Sequence, residues 1–240
     1  MQIIMESVFN VAYLLVIWSL VVAMSVRMRQ VAPQERRLAE LVRLAFLLLA
    51  FGDTGHVGFR VVAYLKGGLD TQIALLGAPI NLAGLGSLTT GVTVTLFYMV
   101  MVYVWLVRFE RYENLASLVL LLAGVVRLFM LALPQNDWNT PTSPYPMGLY
   151  RNIPLMVQGL GLMVLIWRDS YRRRDVTFQW IGWMIALSYL FYMPVILWVH
   201  RVPALGMLMI PKTCAYLALA WIAYRALWLQ RPPHTGLAKA

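Results

Sequence analysis

Long uncharged stretches constrain the fold of this chain more than any other feature of its sequence. Residues 71–107 include no Asp, Glu, Lys or Arg, and neither do residues 7–26. About 20 consecutive apolar residues are enough for an α-helix to cross the hydrocarbon core of a bilayer. Over the whole chain 12% of residues are charged, whereas a typical soluble domain has about 25%. The sequence therefore predicts an integral membrane protein and excludes a sizeable soluble catalytic domain.

Seven apolar segments are long enough to cross a membrane, and together they account for most of the chain. We predict an all-α bundle of seven transmembrane helices that forms a single domain over residues 1–230, with a short cytoplasmic tail over residues 231–240. Glu6 precedes the first span and no Lys or Arg does, which distinguishes this span from a signal peptide. The predicted spans cover residues 7–26, 41–65, 81–107, 114–133, 152–167, 176–199 and 203–229.

Basic residues are concentrated in alternate loops, which sets the expected orientation of the bundle. The opposite loops contribute only Lys66, Arg151 and Arg201. By the positive-inside rule the arginine-rich loops are cytoplasmic, so we expect an external N-terminus, a cytoplasmic C-terminus and a location in the cell membrane. The net charge of +10 then reflects basic cytoplasmic loops, and we expect membrane lipids rather than nucleic acid as partners. The arginine-rich loops contain Arg27, Arg29, Arg36, Arg37, Arg108, Arg111, Arg168, Arg172, Arg173 and Arg174.

The second span carries three ionisable residues inside the membrane. Asp53, His56 and Arg60 follow one another at spacings of three and four residues, which places them on one face of a helix. Charged groups at this depth usually face the bundle interior and pair with one another. We expect Asp53 to form an ion pair with His56 hydrogen-bonded alongside, and the candidate partners are Arg60, Arg127 and Lys212. A stripe of small residues on the same helix permits close helix packing, and its members are Gly52, Gly55 and Gly58.

Further polar residues lie in the outer half of the predicted bundle. Lys212 follows Pro211 about two turns into the last span, where the proline is expected to kink the helix. The sixth span has its own proline, Pro194, and three deep aromatic residues that could face a pocket, Trp183, Tyr189 and Tyr192. Because cationic side chains outnumber Asp53 here, we predict a pocket that binds or transports a small anionic or amphipathic molecule. The candidate ligand-binding residues are Asp53, His56, Arg60, Arg127, Arg151, Asn152, Lys212 and Tyr216.

A membrane-embedded enzyme is one alternative, because Asp53 and His56 could act as an acid–base pair. The sequence has no metalloprotease, nucleophile-elbow or P-loop motif. A metal site is not expected, since the chain has three histidines and a single cysteine, Cys214. The sequence leaves the cofactor, the substrate and the oligomeric state open.

Several short strings together resemble a group of bacterial multi-pass membrane proteins to which no function has been assigned. The resemblance extends over nearly the whole chain. It implies a multi-pass membrane fold and adds no activity or substrate. The strings are Gly52-Asp53-x-x-His56, Leu88-Thr89-Thr90-Gly91, Phe97-Tyr98, Pro134-Gln135-Asn136-Asp137-Trp138, Tyr150-Arg151-Asn152-Ile153-Pro154 and residues 209–216.

The predicted layout also resembles that of rhodopsins, with seven spans, an external N-terminus and a lysine within the last span. Lys212 with Thr213 and Tyr216 carries this resemblance, which implies a retinal-type receptor with Lys212 as its Schiff-base lysine as a second alternative. The third span lacks a carboxylate, however, and Leu208 stands one turn before the lysine where an aspartate would be expected. Only Asp53 could act as the counterion, and the nearby arginines would oppose a protonated Schiff base.

Overall fold

The computed structural model describes residues 2–75, 78–142 and 144–229, and most of them are helical. The α-helices are α1 (Gln2–Val26), α2 (Arg36–Leu65), α3 (Leu82–Arg108), α4 (Leu115–Ala132), α5 (Tyr145–Tyr150), α6 (Ile153–Arg173), α7 (Val176–Trp198) and α8 (Met209–Trp228). An antiparallel hairpin, β1 (Gln72–Leu75) and β2 (Ala78–Asn81), precedes α3 and was not predicted. Short 3₁₀ helices lie at Arg27–Gln30, Pro33–Glu35, Pro134–Asn136 and Pro203–Leu208. The predicted tail over residues 231–240 lies outside the described residues.

Six helical segments of the described chain are long and apolar enough to cross a membrane, which confirms the prediction of a multi-pass helical membrane protein. The α2 helix, which carries Asp53, His56 and Arg60, is not among them. It has 30 residues and is therefore about 45 Å long, more than the hydrocarbon core of about 30 Å. The count of seven spans stays a prediction. The six segments are Val8–Gln30, Leu82–Arg108, Leu115–Ala132, Tyr145–Arg173, Val176–Trp198 and Pro203–Trp228.

Capping side chains fix the start of three of these helices. The Asn81 side chain accepts a hydrogen bond from the main chain of the first turn of α3. Asn114 and Ser117 form a reciprocal capping box at the start of α4. Asp175 accepts a main-chain hydrogen bond of 3.1 Å at the start of α7. Because a cap satisfies N–H groups that lack a partner within the helix, these helices begin within a residue of the predicted spans.

Helices α2 and α3 pack closely through small residues. Gly52 and Gly55 of α2 lie against threonines of α3, so close that a Cβ at either glycine would overlap a threonine side chain. The Thr90 hydroxyl donates a hydrogen bond of 3.0 Å to the Gly52 carbonyl. Gly58, the third member of the predicted stripe, has no neighbour within 4 Å of an added Cβ. The close approach is therefore confined to the first two glycines.

The last helix begins differently from what its prolines predict. The chain changes from 3₁₀ helix to α-helix at Met209, so Pro211 lies in the first turn of α8. A proline is tolerated there because the N–H groups of a first turn have no partner within the α-helix. The prediction that Pro211 kinks the helix is therefore wrong. Lys212, which follows it, also lies in the first turn of α8. Pro194, in contrast, lies inside α7 as predicted.

Ion pairs join the helices at one end of the bundle, which we call the arginine end and define by Arg108, Arg111, Arg168 and Arg173. Asp169 is buried there and also accepts a hydrogen bond of 3.0 Å from an indole N–H. Charged groups at this end are therefore held by opposite charges. The pairs are Arg108–Glu35 (3.2 Å), Arg108–Asp175 (2.7 Å), Arg111–Asp169 (2.8 Å), Arg168–Asp169 (3.2 Å) and Arg173–Glu110 (3.4 Å).

Candidate ligand-binding cavity

A cavity of about 570 Å³ lies between the helices at the end opposite the arginine end. This volume is within the range of small-molecule sites, about 300–1,000 Å³. Residues of α1, α2, α3, α4, α7 and α8 form its wall, together with the chain between α4 and α6 and the chain between α7 and α8. The structure brings all the sequence-predicted candidates to this one cavity, and they are Asp53, His56, Arg60, Arg127, Arg151, Asn152, Lys212 and Tyr216.

Asp53 is held by α1 rather than by a cation. The Tyr13 hydroxyl donates a hydrogen bond to Asp53 Oδ2. Among the described residues, no basic nitrogen lies within the 4.0 Å of an ion pair from the Asp53 carboxylate. The expected ion pair is therefore wrong, and Lys212 acts on Asp53 only at a longer electrostatic range. The Trp18 indole donates to Thr54 Oγ1 at 2.9 Å, which is a further side-chain hydrogen bond between α1 and α2.

His56 lines the cavity without pairing with Asp53. Its main chain packs against Gly86 of α3, where an added Cβ would lie 3.1 Å from the His56 Cα. The charges of Arg60 and Lys212 act on its imidazole. No hydrogen bond joins it to Asp53, whose described hydrogen-bond donor is Tyr13. The expectation that His56 is hydrogen-bonded alongside Asp53 is therefore wrong. The two side chains do not share a hydrogen bond through which a proton could pass.

Arg127 is buried, with 4% of its surface exposed, and most N–H groups of its guanidinium donate hydrogen bonds to other parts of the protein. Its side chain ties α3 and α4 to the start of α6. A buried charge needs such hydrogen bonds to offset its loss of water. With these bonds formed, Arg127 has little donor capacity left for a ligand. The acceptors are the Arg151 carbonyl (3.2 Å), the Gly91 carbonyl (3.2 Å), Thr95 Oγ1 (2.8 Å) and Asn152 Oδ1 (3.3 Å).

Arg151 and Asn152 fix the chain between α4 and α6 at the rim of the cavity. The Arg151 guanidinium donates to Asn136 Oδ1 at 3.0 Å and lies 4.5 Å from the centroid of the Trp138 ring. Such a cation–π contact positions the cation as well as the ring. Asn152 Oδ1 accepts a hydrogen bond of 3.2 Å from the Tyr192 hydroxyl of α7. Trp138 and Tyr192 therefore line the cavity beside these two residues.

Lys212 and Arg60 have a different environment from Arg127. The Lys212 ammonium lies 4.1 Å from the centroid of the Tyr192 ring and 5.7 Å from that of Tyr216. Among the described residues, neither Lys212 nor Arg60 has a hydrogen-bond acceptor or an ion-pair partner. Both side chains are half-buried and line the cavity. The geometry leaves these two cations available to a molecule in the cavity.

Aromatic side chains close the inner side of the cavity. The Tyr216 hydroxyl shares a hydrogen bond of 2.8 Å with the Tyr98 hydroxyl, and both side chains are buried. Phe97 contacts both rings edge-on, with centroid distances of 5.1 Å to Tyr98 and 5.7 Å to Tyr216. Buried apolar residues such as Met101 and Trp105 continue from there towards the arginine end. In this conformation the cavity is a pocket and does not cross the bundle.

The first helix contributes to the cavity, which was not predicted from the sequence. Phe9, Asn10 and Tyr13 of α1 line it. Asn10 and Tyr13 are three residues apart and so share a face of the helix, which was a usable signal in an otherwise apolar span. Of the three aromatic residues of the sixth span that could face a pocket, Tyr192 lines the cavity, whereas Tyr189 is buried elsewhere and Trp183 is exposed. Trp138 had no distinguishing sequence signal beyond its place in a polar, proline-rich loop.

These features define a class, a multi-pass helical membrane protein with a polar cavity between its helices. Comparison with protein-family models, with curated proteins and with solved structures found no match. The resemblance to a group of bacterial membrane proteins stays a prediction. Among the described residues, no group of three His, Cys, Asp or Glu side chains could hold a metal ion.

Proposed function

We propose that this chain is a seven-helix protein of the cell membrane whose cavity opens to the outside and binds a small anionic or amphipathic molecule. One observation carries the proposal: Arg60 and Lys212 line the cavity without an acceptor among the described residues. Attraction between opposite charges is strong where water is partly excluded. An anion in the cavity would supply the acceptor that the protein does not.

The arginine end supports this proposal by contrast. There, Asp169 accepts from Arg111 and Arg168, and Arg108 lies between Glu35 and Asp175. At the cavity, Asp53 is the one carboxylate in the described lining, and its hydrogen bond goes to Tyr13. The cavity therefore has an excess of cationic groups, which favours anions over neutral or cationic ligands.

The proposed orientation rests on the same arginines. Arginine-rich loops face the cytoplasm in most multi-pass membrane proteins, and the cavity lies at the opposite end. In this proposal α2 is the seventh transmembrane helix, because it is long enough to cross the membrane. Its ionisable residues Asp53, His56 and Arg60 line the cavity and so avoid lipid. Charged side chains of transmembrane helices usually face such interior cavities.

Binding is favoured over transport, and an amphipathic ligand over a bare ion. The wall combines the polar residues with apolar ones, among them Val57, Leu131 and Ile210. A molecule with an anionic head and an apolar body would contact both. Transport would need the aromatic residues around Tyr98 and Tyr216 to move apart, since they close the cavity on its inner side.

The experiment compares three probes with the same chain and different heads: octanoate, octanol and octyltrimethylammonium. Binding to the protein in a neutral maltoside detergent is measured by isothermal titration calorimetry. We expect octanoate to bind most tightly. Lys212→Met should weaken octanoate binding about tenfold to a hundredfold, since a hydrogen bond to a charged group contributes about 1.5–3 kcal/mol. Lys212→Arg should retain part of the affinity because it keeps the charge.

Lys66→Met is the matched control, because Lys66 is exposed in the loop before β1 and does not line the cavity. Equal affinity for all three probes, or octanoate binding that survives both Lys212→Met and Arg60→Gln, would contradict the proposal. A visible absorbance band on adding retinal, absent from both Lys212 variants, would instead favour the Schiff-base alternative. The acid–base enzyme alternative has less support, because Asp53 and His56 do not form a pair.

A further inference from the structure

A second concave feature lies next to the cavity, on the surface between α1 and α8. It is an apolar groove of about 690 Å³. Trp221 and Leu15 at its edge are 50% and 66% exposed. We call this feature the α1–α8 groove, and its lining is Leu15, Val16, Ser19, Leu20, Ala23, Leu217, Ala218, Trp221 and Tyr224.

The cavity and the α1–α8 groove share the same two helices as walls. On α8 the cavity lining ends at Tyr216 and the groove lining begins at Leu217; on α1 the cavity ends at Tyr13 and the groove begins at Leu15. Consecutive residues of an α-helix point about 100° apart, so the groove faces outwards where the cavity faces inwards. The seam between α1 and α8 is thus the boundary between a cationic pocket and an apolar surface.

We propose that the cavity and the α1–α8 groove form one site for a single-chain anionic amphiphile. The head lies in the cavity near Lys212, and the hydrocarbon chain passes between α1 and α8 into the groove. This inference rests on the proposed function and names its ligand class. Charge complementarity assigns the head to the cavity, and the apolar lining assigns the chain to the groove.

The dimensions agree with this assignment. Lys212 and Trp221 are nine positions apart on α8, a rise of about 13.5 Å along the helix, which is comparable to an extended undecanoate chain. Besides the aromatic residues Trp221 and Tyr224, the lining of the groove has one residue with a polar side chain, Ser19, whose hydroxyl donates to the Leu15 carbonyl of its own helix at 2.6 Å. The lining of the groove is therefore mainly apolar.

The test locates the chain end by fluorescence quenching. A bromine atom quenches tryptophan only on contact, so ω-bromoundecanoate is compared with ω-bromobutyrate in neutral-lipid nanodiscs. The difference between wild type and Trp221→Phe isolates the Trp221 signal. We expect the long probe to quench Trp221 and the short probe to leave it unchanged. Lys212→Met should abolish the quenching by releasing the head.

Two variants fill the groove from opposite sides, Ala218→Phe from α8 and Ser19→Phe from α1. Each should remove the quenching of Trp221 without changing calorimetric binding of ω-bromobutyrate. The matched control is Val125→Phe, on an exposed face of α4 away from the groove. Two filling variants keep the test decisive if one of them does not fold.

The outcomes separate this inference from the proposed function. If the long probe binds in a Lys212-dependent way but does not quench Trp221, the inference is overturned and the proposed function stands. If Trp221 is quenched equally in Lys212→Met, the groove takes up ordinary lipid chains and the inference is also overturned. If neither probe depends on Lys212, both proposals fail.

Discussion

The hydrogen bond between Tyr13 and Asp53 should be the main polar link that holds α1 over the cavity. Hydrogen bonds to a charged acceptor contribute about 1.5–3 kcal/mol, and interhelical hydrogen bonds in membrane proteins reach about 1.7 kcal/mol. The two ranges overlap near about 1.5 kcal/mol, which we expect Tyr13→Phe to remove. In a chain of this length that loss corresponds to a fall of about 3–6 °C in melting temperature. The hydrogen bonds of Trp18 to Thr54 and of Arg43 to Ser25 also join α1 to α2, and they would remain.

A double-mutant cycle measures the link directly. Melting temperatures and free energies of unfolding are compared for wild type, Tyr13→Phe, Asp53→Asn and the double variant in the same detergent. We expect a coupling energy of about 1 kcal/mol or more, because adding Tyr13→Phe to Asp53→Asn removes only a bond to a neutral acceptor. Tyr103→Phe is the control, since Tyr103 is 39% exposed. A coupling energy near zero would refute the assignment of Tyr13 as the partner of Asp53.

Two further predictions test the topology and the helix packing. In a Cys214→Ala background, a membrane-impermeant thiol reagent applied to intact cells should label Asn139→Cys and not Arg172→Cys, because both positions are exposed and lie at opposite ends of the bundle; the reverse pattern would contradict an outward-facing cavity. Gly52→Leu should lower the free energy of unfolding by about 1–3 kcal/mol or more through overpacking against α3. Gly58→Leu should be nearly neutral, since the space beside Gly58 is open, and equal losses in the two variants would rule out the packing argument.

The sequence predicted the starts of α3, α4 and α7 to within a residue, whereas α1 and α2 begin five residues before their predicted spans and α6 ends six residues after its span. Uncharged stretches mark the spans, and side-chain caps at Asn81, Asn114 and Asp175 mark three of their starts. The candidate residues converge on one cavity for a related reason. Ionisable groups avoid lipid, so those within the spans turn inwards and meet.

The sequence could not predict which of those residues are held by the protein and which are available to a ligand. Arg127 and Lys212 look alike as intramembrane cations, but Arg127 is held by the carbonyls of Gly91 and Arg151. Main-chain acceptors have no signature in a sequence, and their availability depends on how α3, α4 and α6 pack. The role of Tyr13 was not predicted either, because only the tertiary fold brings its hydroxyl to the Asp53 side chain.

The energetics of Lys212 connect the cavity to the proposed ligand. Moving an ammonium group out of water carries an effective penalty of several kcal/mol. The contact with the Tyr192 ring, at 4.1 Å, returns about 0.5–2 kcal/mol, and Asp53 lies beyond ion-pair distance. Protein contacts therefore offset only part of the penalty, unlike at the arginine end, where Asp169 is matched by two arginines. Water in the cavity can solvate the ammonium but carries no opposite charge, and the proposed anionic head supplies that charge. A cation left short of partners in this way is better explained by a ligand than by the stability of the fold.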